Sequence, residues 1–253
     1  MGLWTREHFI AIIPAWVVFI GIAILLRRLL AGRDDRVRRI PLQVITAVIL
    51  VLEVIKQVKS LIEGYDLYFL PFHYCSLFLY LIPLHSFLRG RAREWIAPVT
   101  AACGASLVLF MAIVPTVVYS AENVLHITTE FISFHTVVFH HLVCLYMFCA
   151  VALGDFRFDT RRDLRKTAIF LAIYVAVATA LSFALDVNFH NLKHCNFALV
   201  EDVRVALVGA VGWLGQAVYD AVLFVMTIVF AYLSYGVLRL VLRLIDKRKP
   251  TIA

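Results

Sequence analysis

The sequence predicts an all-α, polytopic membrane bundle of seven transmembrane helices, with the N-terminus outside and the C-terminus inside. Three observations predict it. The 253-residue chain is 62% hydrophobic and only 16% charged, with a mean hydropathy of +0.88, outside the range of a soluble domain. Its apolar residues gather into seven runs long enough to span a bilayer, at about 9–30, 40–62, 67–88, 95–118, 131–152, 166–186 and 216–242. Its cations lie in alternate connections: six in 27–39, three in 89–94, five in 154–166 and five from Arg239 onward, of 24 in all. The other connections carry Glu63 and Asp66, then Glu122 and Glu130. Lys and Arg concentrate on the cytoplasmic side, and this sets the orientation.

A single integral membrane domain, 1–253, accounts for the chain, because no connection is long enough to hold a second. The net charge of +7 follows the topology pattern and implies no nucleic-acid partner. Five cysteines without a C-x-x-C pair or zinc-like spacing predict no disulfide framework, no metal and no cofactor. The first run lacks a small-residue cleavage site and reads as a first span, not a signal peptide. The expected place is the cell membrane, as a multi-pass protein.

The second run is polar along one stripe. Glu53, Lys56, Gln57 and Ser60 fall at i, i+3, i+4 and i+7, so they share a helix face. That face must meet protein or water, and pairing Glu53 with Lys56 softens the cost of burying both. The third run opens with Leu70-Pro71-Phe72-His73-Tyr74-Cys75-Ser76-Leu77. Pro71 suits the first turn of a helix, where the positive end of the dipole favours a thiolate on Cys75. On such a helix His73 and Ser76 share a face, while Cys75 is turned about 200° from His73. A base for Cys75 must then come from another helix. The fourth run has small residues at Ala101, Ala102, Gly104, Ala105 and Ser106, a pattern that lets helices approach closely.

The fifth run brings His135 roughly 6 Å and His140 roughly 14 Å into the bilayer, counting from Phe131. His141 points about 100° from His140 and reads as packing. After the sixth run, 186–196 is dense in Asn, His and Lys, including Asn188 and Asn191. Residues 197–215 read as an interfacial or re-entrant helix before the last span. No half-helix pairs of the inverted-repeat transporter kind are visible.

The block Tyr68-Phe69-Leu70-Pro71-Phe72-His73-Tyr74-Cys75-Ser76-Leu77 resembles the L-P-x-H-x-C-S-L signature of bacterial YwaF-type membrane proteins, related to the eukaryotic TMEM-type acyltransferases that remodel ether phospholipids. The His-bearing fifth run and the Asn-rich loop before the last span are similar too. The resemblance implies a polytopic membrane fold and lipid acyl transfer. In the eukaryotic relatives it implies a reactive Cys beside the signature His, a position that Phe72 occupies here, so Cys75 and His73 both remain candidates for the reactive group.

The residues themselves fit acyl transfer, which needs a nucleophile, a base and oxyanion donors. The expected catalytic groups are His73, Cys75, His140 and His135, with His140 or His135 as base. Glu53, Lys56, Gln57, Ser76, Asn188 and Asn191 are expected to bind substrate, in one cavity open to the outer leaflet. Membrane phospholipids are the expected partners. The alternative class is a small-solute or ion permease, with Glu53, Lys56 and the His residues as a relay. A seven-span zinc hydrolase fits poorly, because the last run has no His.

Overall fold

Long apolar runs must form helices in a bilayer, since each backbone polar group needs a partner within its own segment. A computed structural model describes residues 3–156, 160–195 and 198–247. Arg157, Asn196, Arg248 and Lys249, part of the charge and loop patterns above, lie outside the described residues. The described residues are helical with no strand. The long helices are α1 (Arg6–Leu29), α3 (Ile40–Glu63), α5 (Gly90–Ile113), α7 (Phe131–Ala152), α8 (Thr160–Ala184) and α10 (Trp213–Lys247). Between them come the short α2 (Asp35–Arg38), α4 (Phe78–Phe87), α6 (Ala121–Leu125) and α9 (Ala198–Val211). Five segments are long and apolar enough to cross a membrane: Arg6–Leu29, Gly90–Ile113, Phe131–Ala152, Arg161–Ala184 and Trp213–Leu244.

α5 and α7 form the middle of the bundle. α7 packs against α1, α3 and α5, while α5 also meets α4, α8 and α10. The small residues of α5 explain its place: Ala101, Ala102, Gly104, Ala105 and Ser106 are all buried. A Cβ at Gly104 would lie 2.3 Å from Sδ of Met147 on α7, so glycine sets how closely these helices approach. α9 has no buried residue and folds back along α10. There a Cβ at Gly215 would lie 2.2 Å from the Leu207 carbonyl oxygen.

The third run departs from the expected helix. The α-helix starts only at Phe78, and the residues before it form 3-10 turns at Leu67–Phe69 and Tyr74–Leu77. Pro71 drives Leu70 to extended backbone (φ −59°, ψ 139°), and His73 is extended as well. Side chains take over the hydrogen bonds that a helix would have made. Gln57 Nε2 donates to the Phe69 carbonyl at 2.9 Å, Tyr80 OH to that of Pro71 at 3.2 Å and Tyr174 OH to that of His73 at 2.7 Å. Cys75 therefore sits on a 3-10 turn ahead of α4, packed on the apolar core. The dipole argument for its thiolate, which needed a helix starting at Pro71, loses its footing.

A buried polar chain lies toward the other ends of α3 and α7. Thr46 donates to the Leu42 carbonyl at 2.7 Å, which uses its only proton. Ser86 must then donate to Thr46 (2.7 Å), Tyr146 to Ser86 (2.9 Å) and His85 Nδ1 to Tyr146 (2.7 Å). His85 is fully buried and stacks on Phe156 at 5.2 Å. Its Nε2 faces Asp155 Oδ2 at 3.6 Å, and Asp155 is ion-paired with Arg93.

Candidate functional site

The polar stripe of α3 is the base of the site. Lys56 Nζ lies 2.7 Å from Glu53 Oε1, with each side chain about 11% exposed. Gln57 Nε2 donates to the same oxygen at 2.6 Å, and Tyr65 OH donates to Gln57 Oε1 at 2.6 Å. His135, reaching from α7, donates Nε2–H to Glu53 Oε2 at 3.1 Å. Glu53 is thus a buried carboxylate with one cation and two further donors, the arrangement that makes such burial tolerable.

Above this stripe opens a cavity of about 1030 Å³. Its polar wall holds Glu53, Lys56, His73, Cys75, Ser76, His135 and His140, with Asn188 and Asn191 from the loop after α8. Its apolar wall includes Leu79, Leu107, Phe110, Phe139, Leu223 and Phe230. Gln57, expected to bind substrate, stands behind the wall, bonded to Glu53. Phe72 is not among the lining residues and packs against Phe189 at 5.7 Å.

The imidazoles differ in what they commit. His73 donates Nε2–H to the Tyr68 carbonyl at 3.0 Å and lies between the rings of Tyr68 (4.3 Å) and Phe189 (5.3 Å). His140 Nδ1 lies 2.6 Å from the Thr136 carbonyl, which only accepts, so Nδ1 carries the hydrogen. Its Nε2 is then a bare lone pair, buried and unpartnered among the described residues. His141 bonds the Val137 carbonyl in the same way but does not line the cavity. Cys144, one turn beyond His140, faces Met111 at 3.4 Å, away from the site.

The loop between α8 and α9 is clamped onto α10. Phe189 and Leu192 are fully buried anchors. Tyr219 OH donates to the Asn191 carbonyl at 2.8 Å and Gln216 Nε2 to that of Leu192 at 2.6 Å. Tyr219 and Asp220, near the N-terminal end of the last helix, serve this clamp and do not line the cavity. The Asn188 amide braces its own loop, accepting from the Lys193 and His194 N–H groups and donating to the His194 carbonyl. Lys193 pairs with Asp186, holding that carboxyl below its usual range.

Reasoning from sequence missed five loop contributors to the wall: Asp186, Val187, His190, His194 and Cys195. Only the density of polar residues in 186–196 signalled them, and density does not say which side chain turns inward. Among the described residues no group of three or more His, Cys, Asp or Glu is placed to hold a metal ion.

No curated protein and no solved structure matches the chain. The model of the TMEM164 family matches residues 3–237, nearly the whole sequence and every residue that lines the cavity. With its apolar helices and the buried polar site between them, this multi-pass membrane protein belongs to the TMEM164 family.

Proposed function

We propose that the protein is a lipid acyltransferase of the cell membrane, working on phospholipids through a site in the outer leaflet. One observation carries the reading: a thiol, Cys75, and a base with a free lone pair, His140 Nε2, line the same part-apolar cavity. Cys75 Sγ attacks the ester carbonyl of a donor lipid, and His140 Nε2 takes the thiol proton. The C–O bond then breaks, the leaving oxygen takes that proton back, and an acyl thioester remains. An acceptor hydroxyl reverses the sequence: its C–O bond forms, the C–S bond breaks and the proton returns to sulfur through His140. Lys56 and Asn191, both on the cavity wall, serve as the oxyanion donors in this reading, since the Asn188 amide is engaged in its loop. The YwaF-type signature at 68–77 supports the same chemistry.

In this reading the chain crosses seven times, N-terminus out and C-terminus in. α3 makes the second crossing, the broken segment through α4 the third, and α9 lies at the interface. Reporter fusions should place 27–39, 89–94 and 154–166 in the cytoplasm; an outside location for the tail would overturn the topology.

Reconstituted in liposomes, the protein should move acyl chains between phospholipids. Cys75→Ser should abolish transfer and Cys195→Ser should retain it. Full transfer by the Cys75 variant would shift the reactive role to His73 or to a non-covalent route. The Glu53–Lys56–His135 chain favours a second reading, a permease with an intramembrane charge relay. Changed solute uptake without any lipid change in a deletion strain would decide for it.

A further inference from the structure

The imidazoles of the cavity wall differ in what they leave open to the space they line. His140 Nε2 is closed off by its surroundings. His190 stands on left-handed backbone (φ 54°, ψ 26°), 5.6 Å from the ring of Tyr74. Thr227 on α10 spends its only hydroxyl proton on the Leu223 carbonyl at 2.9 Å. In the 3.4 Å contact with Thr227, His190 Nε2 is therefore the donor, and the Nδ1 left over is closed off as well. His73 and His135 are different. Each keeps an Nδ1 without a protein partner among the described residues, and neither nitrogen is sealed away.

What separates those two is the group behind the ring. His73 Nε2–H meets the Tyr68 carbonyl, whereas His135 Nε2–H meets a carboxylate, Glu53 Oε2 at 3.1 Å. A lone pair that takes a proton turns its ring into a cation, and a carboxylate on the far nitrogen offsets that charge and fixes the tautomer. The ring of His135 is also held in plane, stacked on Phe139 at 5.7 Å and 10°. Glu53 has a second hold on the site. Its Oε1 takes Lys56 Nζ at 2.7 Å, so one carboxylate sets the imidazole and the oxyanion donor in register with each other. A base and an oxyanion donor serve the same carbonyl only when they are placed together.

We infer a further activity: the His135–Glu53 pair activates water, which hydrolyses the acyl group on Cys75 and releases a free fatty acid. This rests on reading the cavity as an acyl-transfer site. A polar wall on a cavity of about 1030 Å³ has room and partners for water. The water oxygen attacks the thioester carbonyl carbon, and His135 Nδ1 takes one of its protons. The C–S bond then breaks, the proton passes from Nδ1 to sulfur, and the fatty acid leaves with the other water proton. Glu53 is the positioning residue, and His140 keeps its role toward the thiol.

The test gives the purified protein phosphatidylethanolamine vesicles in water enriched in oxygen-18. The wild type should release fatty acid carrying one labelled oxygen. His135→Gln offers Glu53 an amide donor and has no basic nitrogen, so it should cut that release by about a hundredfold. Acyl thioester should then build up on Cys75, as a mass increase of one acyl chain that hydroxylamine removes. Glu53→Gln should build up the same adduct with a smaller loss of release. If that variant does not fold, His135→Gln decides alone. A structural role for either residue would lower acylation and release together and leave no adduct. Release kept by His135→Gln, or lost without the adduct, overturns the inference. Acyl transfer by the wild type with no labelled acid overturns it too and leaves the proposed activity standing. A wild type that neither transfers acyl chains nor acylates Cys75 sinks the reading beneath it.

Discussion

Two buried polar regions share the lengths of α3 and α7, and they end differently. The chain from His85 through Tyr146, Ser86 and Thr46 passes each proton onward until it stops at the Leu42 carbonyl. Around the cavity the chains are shorter. Thr136 and Leu223 carbonyls absorb the protons of His140 and of the Thr227–His190 pair, and each imidazole keeps a bare nitrogen. Both regions use histidine and hydroxyl groups in apolar surroundings. The difference is at the head of each chain: His85 Nε2 faces Asp155, whereas the free nitrogens of His140 and His190 meet no protein donor among the described residues. A closed chain stabilises, and an open one is available for binding.

That contrast predicts opposite mutational signatures. Asp155→Ala removes one partner of a mostly buried ion pair and strands Arg93 beside His85. The expected loss is about 4 kcal/mol of stability, with transfer per folded molecule unchanged. His140→Phe should do the reverse, cutting transfer by about a hundredfold or more with stability changed by about 1 kcal/mol or less, since the one bond lost is that of Nδ1 to the Thr136 carbonyl of its own helix. Thermal unfolding alongside a transfer assay separates the two. If Asp155→Ala lowers specific activity with no loss of stability, the division between the regions is wrong.

The Glu53–Lys56 pair is the intermediate case, since it is both closed and on the cavity wall. Lys56→Met should destabilise more than Lys56→Met combined with Glu53→Gln, with a coupling of about 2 kcal/mol in a double-mutant cycle. Strict additivity would mean that His135 and Gln57 already satisfy Glu53 unaided. The smallest effects concern helix approach. Gly215→Ala drives a methyl into the Leu207 backbone, whereas Gly104→Ala meets only the flexible tip of Met147. The first should cost about 2 kcal/mol and the second about 1 kcal/mol or less. The reverse order in unfolding measurements would show that the α9–α10 hairpin yields more readily than the α5–α7 seam.

Much of this site is legible from spacing, wherever one helix carries the information. The Glu53, Lys56, Gln57 and Ser60 stripe follows from a 3.6-residue period, and so does its need for cover. That the cover is His135 depends on the register of α7 against α3, which no local pattern encodes. The signature at 70–77 misleads for a specific reason. Pro71 fits a helix start, but Gln57, Tyr80 and Tyr174, distant in sequence, satisfy the backbone groups of an irregular segment. His190 is the least legible, because its direction is set by a left-handed turn and by anchors on α10. The helical nature of the chain follows from composition alone, since hydrocarbon leaves the backbone no other partner.

The left-handed turn has a consequence for how this loop can drift. Asp186, His190 and Asn191 all have positive φ, and residue types that tolerate it are few: Gly, Asn, Asp and, at some cost, His. At 190 the backbone admits that short set, and within it the reach of a ring N–H to the Thr227 hydroxyl on α10 favours His. The two filters overlap in a single residue type, so a changed ligand would have to be accommodated elsewhere on the wall. Position 190 is a fixed point around which the rest of the pocket is free to vary.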